Sequence, residues 1–334
     1  MAAIVAEKLT KVFNGFKAVN EVSFEVKEGE IFGFLGPNGA GKTTTINMLI
    51  TLMKPTSGRA LVASYDVVRE PEKVRGKIGV VFQDQSVDRE LTGWENLWLH
   101  GLVYGVPRST LRQRIRQLLK LVELEGFANT PVKKYSGGMI RRLEIARALI
   151  HRPEILFLDE PTLGLDPQSR AKVWDYILDL RKEHGMTIFL TTHYIEEAER
   201  LCDRVAIIDH GKIIALGSPE ELKQSIGGEL IYLKVSENPS LYSAFLEKLS
   251  DIQGVLSVKT LGNRQLSLRV KSASTAIPAI FDIAQAAGVK ISEIRYTTPS
   301  LNDVFLQLTG RALRDEEASW RDHVKLRVQA RWRR

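Results

Sequence analysis

Residues 31–49 read IFGFLGPNGAGKTTTINML. An apolar run of strand character ends in a glycine-rich loop, which passes directly into residues with helical spacing. The loop, GPNGAGKT at 36–43, fits the pattern G-x-x-x-x-G-K-[ST]. Its glycines let successive backbone N–H groups converge on phosphate oxygens, where a Cβ would obstruct the approach. The following helix adds the positive end of its dipole. Lys42 is placed to reach the β- and γ-phosphates, and the Thr43 hydroxyl to ligate Mg²⁺. Four fixed positions match by chance in roughly one chain in a hundred of this length, but chance need not place them between a strand and a helix. The stretch predicts a nucleoside triphosphate site on an α/β fold and leaves the ensuing chemistry open.

Outward from the loop, IVAEKLTKVF and VNEVSFEV precede it as strands, and KIGVVFQ, EILFLDE, MTIFLTTH and RVAIIDHG follow as apolar strands. Helical runs separate them, among them GWENLWLHGLVYG, LRQRIRQLLKLVELEG and a helix opening behind YSGG. Apolar strands alternating with helices indicate a buried, largely parallel sheet. The pattern breaks around 217–228, at GSPEEL and Gly227-Gly228. Beyond it the runs ELIYLKVS, SLYSAFLEKLS, VLSVKTL, QLSLRVK, TAIPAIFDIAQAAG and VKISEIRY spell β-α-β twice, the order of a ferredoxin-like split unit. About 85 residues suffice for a small separate core. The expected organisation is a nucleotide-binding domain at 1–225 with a helical subdomain near 85–150, an accessory α+β domain at 226–310 and a tail at 311–334.

Length supports two domains, since 334 residues exceed a typical single one. With 44% apolar and 26% charged residues, the composition excludes wholesale disorder and fibrous folds. No run approaches 18 apolar residues, so no membrane span is expected. The start, MAAIVAEKLTK, lacks the pattern of a secretory signal. Cys202 is the one cysteine, which excludes an internal disulfide and suits a reducing, cytosolic setting. The net charge is +7, but residues 311–334 carry eight basic and four acidic side chains. The body is therefore close to neutral, and no nucleic-acid partner is expected.

ILFLDEPT sets Asp159 and Glu160 just after an apolar strand. Alone, the pair reads as an acidic turn. Beside a phosphate loop, a strand of a doubly wound sheet would deliver both to the ligand crevice. Asp159 would then hold Mg²⁺ through water, and Glu160 would orient and polarise the attacking water.

The segment YSGGMIRRLEIARALIHRPEILFLDEPTLGLD, residues 135–166, resembles the signature-to-Walker-B block of ATP-binding cassette proteins. The resemblance extends from about residue 4 to 225. It identifies Gly36, Pro37, Asn38, Gly39, Ala40, Gly41, Lys42, Thr43 and Thr44 as the Walker A loop, and Gln83 as the Q-loop glutamine, a further Mg²⁺ and γ-phosphate contact. Ser136, Gly137 and Gly138 correspond to the signature, Asp166 to the D-loop and His193 to the H-loop histidine that senses the γ-phosphate. Phe13 stands where the family stacks an aromatic on adenine. Two positions depart from the pattern: Tyr135 and Met139 replace Leu and Gln around the signature. The phosphate-contacting Ser and both Gly remain, so activity is expected to be retained. Ser136 to Gly138 open a helix and so form a second cluster of free N–H groups. The resemblance implies a head-to-tail homodimer, each ATP lying between the Walker A loop of one copy and the signature of the other.

Cassettes also serve DNA repair and translation. Repair forms carry long coiled-coil insertions, whereas only 53 residues separate Gln83 from Ser136. Translation forms carry two cassettes, and this chain has one Walker A motif. The run GSPEEL, the βαββαβ domain and TTPSLNDVFLQLTGR together resemble ATP-binding subunits of daunorubicin-resistance-type exporters. That resemblance implies a separate transmembrane permease, with the chain peripheral on the cytoplasmic face of the membrane. GWENLWLHGLVYG would then form part of the permease-docking groove. A soluble, non-transport cassette ATPase is the alternative. In the tail, Trp320, Val324, Val328 and Trp332 recur every four residues among arginines, which fits either a membrane-surface helix or an ordinary terminus.

Overall fold

The apolar runs around the phosphate loop become the middle of a six-stranded sheet. A computed structural model of the chain describes residues 1–310 apart from 236–238, 263–264 and 298. The basic stripe at 320–334 lies outside the described residues. Strands β1 (Ala2–Phe13) and β2 (Phe16–Lys27) form a hairpin, and β3 (Ile31–Leu35) leads through the loop into α1 (Lys42–Leu49). Next come β4 (Ser57–Val62), β5 (Tyr65–Asp66), α2 (Pro71–Lys77) and β6 (Ile78–Val81). A helical stretch follows, α3 (Gly93–Val103), α4 (Arg108–Leu121) and α5 (Gly137–Ala148). Then β7 (Ile155–Asp159), α6 (Pro167–His184), β8 (Thr187–Thr192), α7 (Ile195–Leu201), β9 (Arg204–Asp209) and β10 (Lys212–Gly217) complete the pattern, and α8 (Pro219–Ile226) leads on.

The strand order is β10-β9-β3-β8-β7-β6, parallel throughout except for the β9–β10 pair. Every residue of β3, β7 and β8 is buried, because a parallel sheet is covered on both faces. Phe24 of β2 stacks on Phe32 at 5.3 Å and touches Phe34 and Phe189. These contacts tie the antiparallel sheet β2-β1-β4-β5 to the parallel one. The order of the parallel strands decides the site. Four segments far apart in sequence leave the sheet from adjacent carboxyl ends, about 4.8 Å apart per strand. They are the loop after β3, His193 after β8, Asp159 and Glu160 at the end of β7, and Gln83 beyond β6. One boundary differs from the sequence reading: β6 ends at Val81, so Gln83 lies in a loop rather than at the strand end.

Among the described residues the chain divides into two compact units, one from Met1 to Pro219 and the other from Glu220 to the end of the described residues. The second unit contains β11 (Glu229–Val235), α9 (Pro239–Ser250), β12 (Val255–Gly262), β13 (Gln265–Val270), α10 (Ala273–Ala286), β14 (Ile291–Thr297) and α11 (Leu301–Thr309). Its sheet, β12-β13-β11-β14, is antiparallel throughout, the ferredoxin-like arrangement read from the β-α-β repeat. Ile231, Leu233, Phe245, Leu266, Leu268 and Ile280 form its core.

Candidate nucleotide and hydrolysis site

The phosphate loop is anchored at both ends and open at its crest. Gly36 N–H donates to Thr192 O at 3.2 Å, and Gly211 N–H donates to Ala40 O at 3.0 Å. Asn38 and Gly39 are exposed between these anchors. Gly41 closes the loop with φ of +104°, and a Cβ there would lie 2.6 Å from Ala18 O. Only glycine fits that backbone at that approach. The helix it caps, α1, begins at Lys42 and aims its first N–H groups into the loop.

Lys42 is buried. Its Nζ donates to Gly36 O at 2.6 Å and Pro37 O at 3.1 Å, and pairs with Glu160 Oε1 at 3.1 Å. Three ammonium protons thus have three partners. On its other oxygen, Glu160 meets His193 Nδ1 at 2.7 Å. Burial pushes the Glu160 carboxyl up. The His193 hydrogen bond and the Lys42 charge more than offset this, so its pKa lies below the ordinary 4.5. Its neighbour goes the other way. Burial raises the Asp159 pKa above 3.8 and the Glu160 charge adds to it, against hydrogen bonds from Thr191 at 2.5 Å and Thr43 at 3.4 Å. Asp159 is therefore an under-compensated carboxylate beside a hydroxyl, a hard oxygen pair suited to Mg²⁺, which keeps most of its shell as water and phosphate oxygen. Among the described residues no cluster of three His, Cys, Asp or Glu is placed to hold a metal.

Glu160 sits at φ of +49°, a left-handed conformation that costs a non-glycine residue about 1–3 kcal/mol. Its N–H donates to both Thr191 O and Thr191 Oγ1 at 3.1 Å, which holds the turn. The strained turn aims the carboxylate between Lys42 and His193.

The signature segment forms a separate feature. Ser136 caps α5, accepting from Met139 N–H at 3.3 Å. Ser136 and Gly137 are exposed, and Gly138 is buried where a Cβ would come within 2.9 Å of Ser169 Cβ. Asp166 caps α6 by accepting from Gln168 and Ser169 N–H at 3.1 and 3.0 Å. The starts of α5 and α6 therefore lie against each other. Tyr135, where the family pattern has Leu, is buried and donates to Phe127 O at 2.7 Å, so this departure is accommodated by packing.

Direct contacts join Lys42, Thr43, Asp159, Glu160 and His193, all of them singled out by sequence. Phe13, Gln83, Ser136 and Asp166 are exposed and, among the described residues, make no hydrogen bond to that cluster. Phe13 flanks the hairpin turn at Asn14-Gly15, with Lys11 Nζ 5.2 Å from its ring centroid. Sequence reading missed four supporting groups. Thr191 hides in an apolar strand. Arg141 and Glu144 form a buried pair at 3.0 Å on α5. Glu197 of α7, fully buried, accepts from Thr162 Oγ1 at 2.7 Å and Trp174 Nε1 at 2.9 Å, and burial raises its pKa. The i,i+3 opposite charges at 141 and 144 were the one visible signal.

Comparison with known proteins agrees with both units. The family model described as ABC transporter matches residues 19–163, and that described as ATP-binding protein DrrA1-3-like, C-terminal domain, matches residues 217–309. The daunorubicin/doxorubicin resistance ATP-binding protein DrrA of Streptomyces peucetius is 40% identical over 326 residues, covering 96% of this chain and 98% of that protein. The Nod factor export ATP-binding protein I of Ralstonia nicotianae is 38% identical, with 92% and 94% covered. Among solved structures, the dimeric post-hydrolysis state of the ATP-binding cassette MJ0796 bound to ADP and Pi superposes with a TM-score of 0.58 at 31% identity, over 64% of this chain and 98% of that one. Similarity at this level along nearly the whole of two relatives means that the chain belongs to the ATP-binding subunits of ABC transporters, in the daunorubicin-resistance exporter group, and that its first unit is an ATPase cassette.

Proposed function

We infer that the chain works as a homodimer on the cytoplasmic face of a membrane, beneath a separate transmembrane permease, and that ATP binding closes the dimer while hydrolysis reopens it. The observation that carries this reading is Glu160, held as a carboxylate between Lys42 and His193 at the end of β7. Phosphate oxygens would compete with Gly36 O, Pro37 O and Glu160 for the Lys42 ammonium, freeing Glu160 to face the attacking water. His193 would hold that carboxylate and meet the γ-phosphate. Phe13 would stack on adenine. Mg²⁺, with Thr43, Asp159 and Gln83 as its protein contacts, would neutralise charge on the β- and γ-phosphate oxygens. Ser136, Gly137 and Gly138 of the second copy would present their N–H groups to the same γ-phosphate, and Asp166 would hold the adjoining helix start in place. Among the described residues no helix is long and apolar enough to cross a membrane, so a transport role calls for a partner that does.

Export is the direction named for the Nod factor relative, and the DrrA relative is named for drug resistance. The soluble, non-transport alternative draws no support from either. The test is co-purification from detergent-solubilised membranes. A hydrophobic partner in fixed ratio is expected, and recovery with ribosomes or nucleic acid instead would sink the transport reading.

A further inference from the structure

Arg141 lies one turn inside α5 and is only 6% exposed. Its guanidinium has five N–H donors, and five acceptors surround it. Nε donates to Pro161 O at 2.7 Å. Nη1 donates to Phe82 O at 2.5 Å and Glu144 Oε2 at 3.0 Å. Nη2 donates to Asp159 O at 2.9 Å and Glu160 O at 3.0 Å. Three consecutive carbonyls, 159 to 161, face one side chain because Glu160 turns the backbone through its left-handed φ. The turn that aims the hydrolytic carboxylate is therefore the turn that Arg141 grips.

Glu144 passes the contact on. It is fully buried and accepts from Ser86 N–H at 2.7 Å. Arg147, three residues further along the same helix, donates to the Ser86 carbonyl and hydroxyl. Residues 141, 144 and 147 lie along one side of α5 and hold the segment 82–86 at both ends, with Gln83 exposed between them. The same helix starts at the Ser136 cap, and only about 6 Å of helical rise separates Gly137 from Arg141.

We propose that Arg141 is a positioning residue that ties the signature end of α5 to the Glu160 turn of its own chain, so that the two ATP sites of a dimer hydrolyse cooperatively. The proposal rests on the dimer reading above, in which each signature serves the ATP of the other copy while each Glu160 serves its own. A rigid link between the two within one chain makes a shift at either site felt at the other, which is a coupling between sites. Lysine cannot substitute, since three donors on a flexible stem do not match five fixed acceptors.

The experiment measures steady-state ATP hydrolysis against ATP concentration for the full chain, for Arg141→Lys, and for the double variant Arg141→Met with Glu144→Met. The double variant removes both charges together, which avoids the uncompensated buried charge that loss of one partner leaves. Both variants are expected to lose about 100-fold in kcat, as for a small misplacement of reacting groups, with KM for ATP little changed. The Hill coefficient should fall from about 2 towards about 1. A folded variant that keeps the wild-type kcat and Hill coefficient overturns the proposal. ATP-dependent dimerisation of Glu160→Gln is measured alongside. If that variant dimerises, a null result on Arg141 counts against the link alone; if it stays monomeric with ATP bound, the dimer reading falls and the link with it.

Discussion

In the first unit β3, β8, β7 and β6 run side by side in one direction and end together, while in the second unit β12, β13, β11 and β14 alternate direction. Both units alternate strands with helices, yet the consequences differ. Parallel strands need crossover helices on both faces, so their loops collect at one edge and their bodies bury completely. Antiparallel neighbours send their loops to opposite ends. β14 keeps an intermittently exposed pattern, and no convergent set of loops arises. Buried charge follows the same division. Glu30, Lys42, Arg141, Glu144, Asp159, Glu160 and Glu197 are buried in the first unit, Glu30 alone at the amino end of β3, whereas Asp303 is the buried charged residue of the second among those described. The first unit holds nearly all the buried charge among the described residues, and substitutions test whether the chemistry lies there too.

The largest effect is expected at Glu160. Glu160→Gln should lower turnover about 10²–10⁴-fold, the range for loss of a positioned base, while ATP stays bound and closed dimers accumulate. Turnover and bound nucleotide measured on one preparation decide this, and near-wild-type hydrolysis would move the base elsewhere. Ser136→Arg comes next. It leaves the Walker A loop of its own chain untouched, so ATP should bind normally, and it should cut hydrolysis about 10²–10³-fold, as for loss of a preorganised donor. Loss of ATP binding to the monomer would instead place the signature in its own chain's site.

A smaller effect, on stability, tests the electrostatics. The folded pKa of Glu160 lies below its ordinary 4.5. The group therefore stabilises the fold above that value, and the contribution disappears as pH falls through the lower folded pKa. Lys42→Met leaves burial opposed by His193 alone, and breaking so buried a pair costs about 3 kcal/mol near neutrality. Urea melts should show the gap between variant and wild type narrowing on acidification below the ordinary carboxylate range. A gap that widens there would mean that Glu160 is not the partner that matters.

Much of this was legible beforehand, for a physical reason. Phosphate loops, strand-end carboxylates and signature turns need particular residue types at fixed spacing, and β3, β7, β8 and β9 are apolar runs because they are buried on both sides. What escaped notice lacked such constraint. β4, SGRALV, and β10, KIIALG, are partly exposed strands that pair with only a few neighbours, and their patterns resemble loops. The Arg141–Glu144 pair looks like a surface ion pair on a helix. Its burial comes from the 159–161 turn and the 82–86 loop, which are distant in sequence. Thr191 escaped because one hydroxyl inside TIFLTT does not disturb an apolar run. Pattern reveals local chemistry, whereas these groups depend on which strand ends become neighbours.

The smallest expected effect belongs to the second unit and sharpens the comparison most. Helix α11 starts with a reciprocal cap: Ser300 N–H and Oγ donate to Asp303 Oδ2 at 2.8 and 2.7 Å, and the Tyr232 hydroxyl donates to Asp303 Oδ1. The cap fixes α11 to β11 through a carboxylate that is nearly buried. Ser300→Ala removes the hydroxyl and spares Asp303, Tyr232 and the backbone, so it should cost about 1 kcal/mol, as cap losses do. Thermal melts of the full chain should show that loss in the transition of the second unit. ATP turnover and its Hill coefficient should stay at wild-type values, because no group of the hydrolysis site is touched. A fall in turnover without a fall in stability would break the division drawn here, since an antiparallel unit would then be feeding the parallel edge.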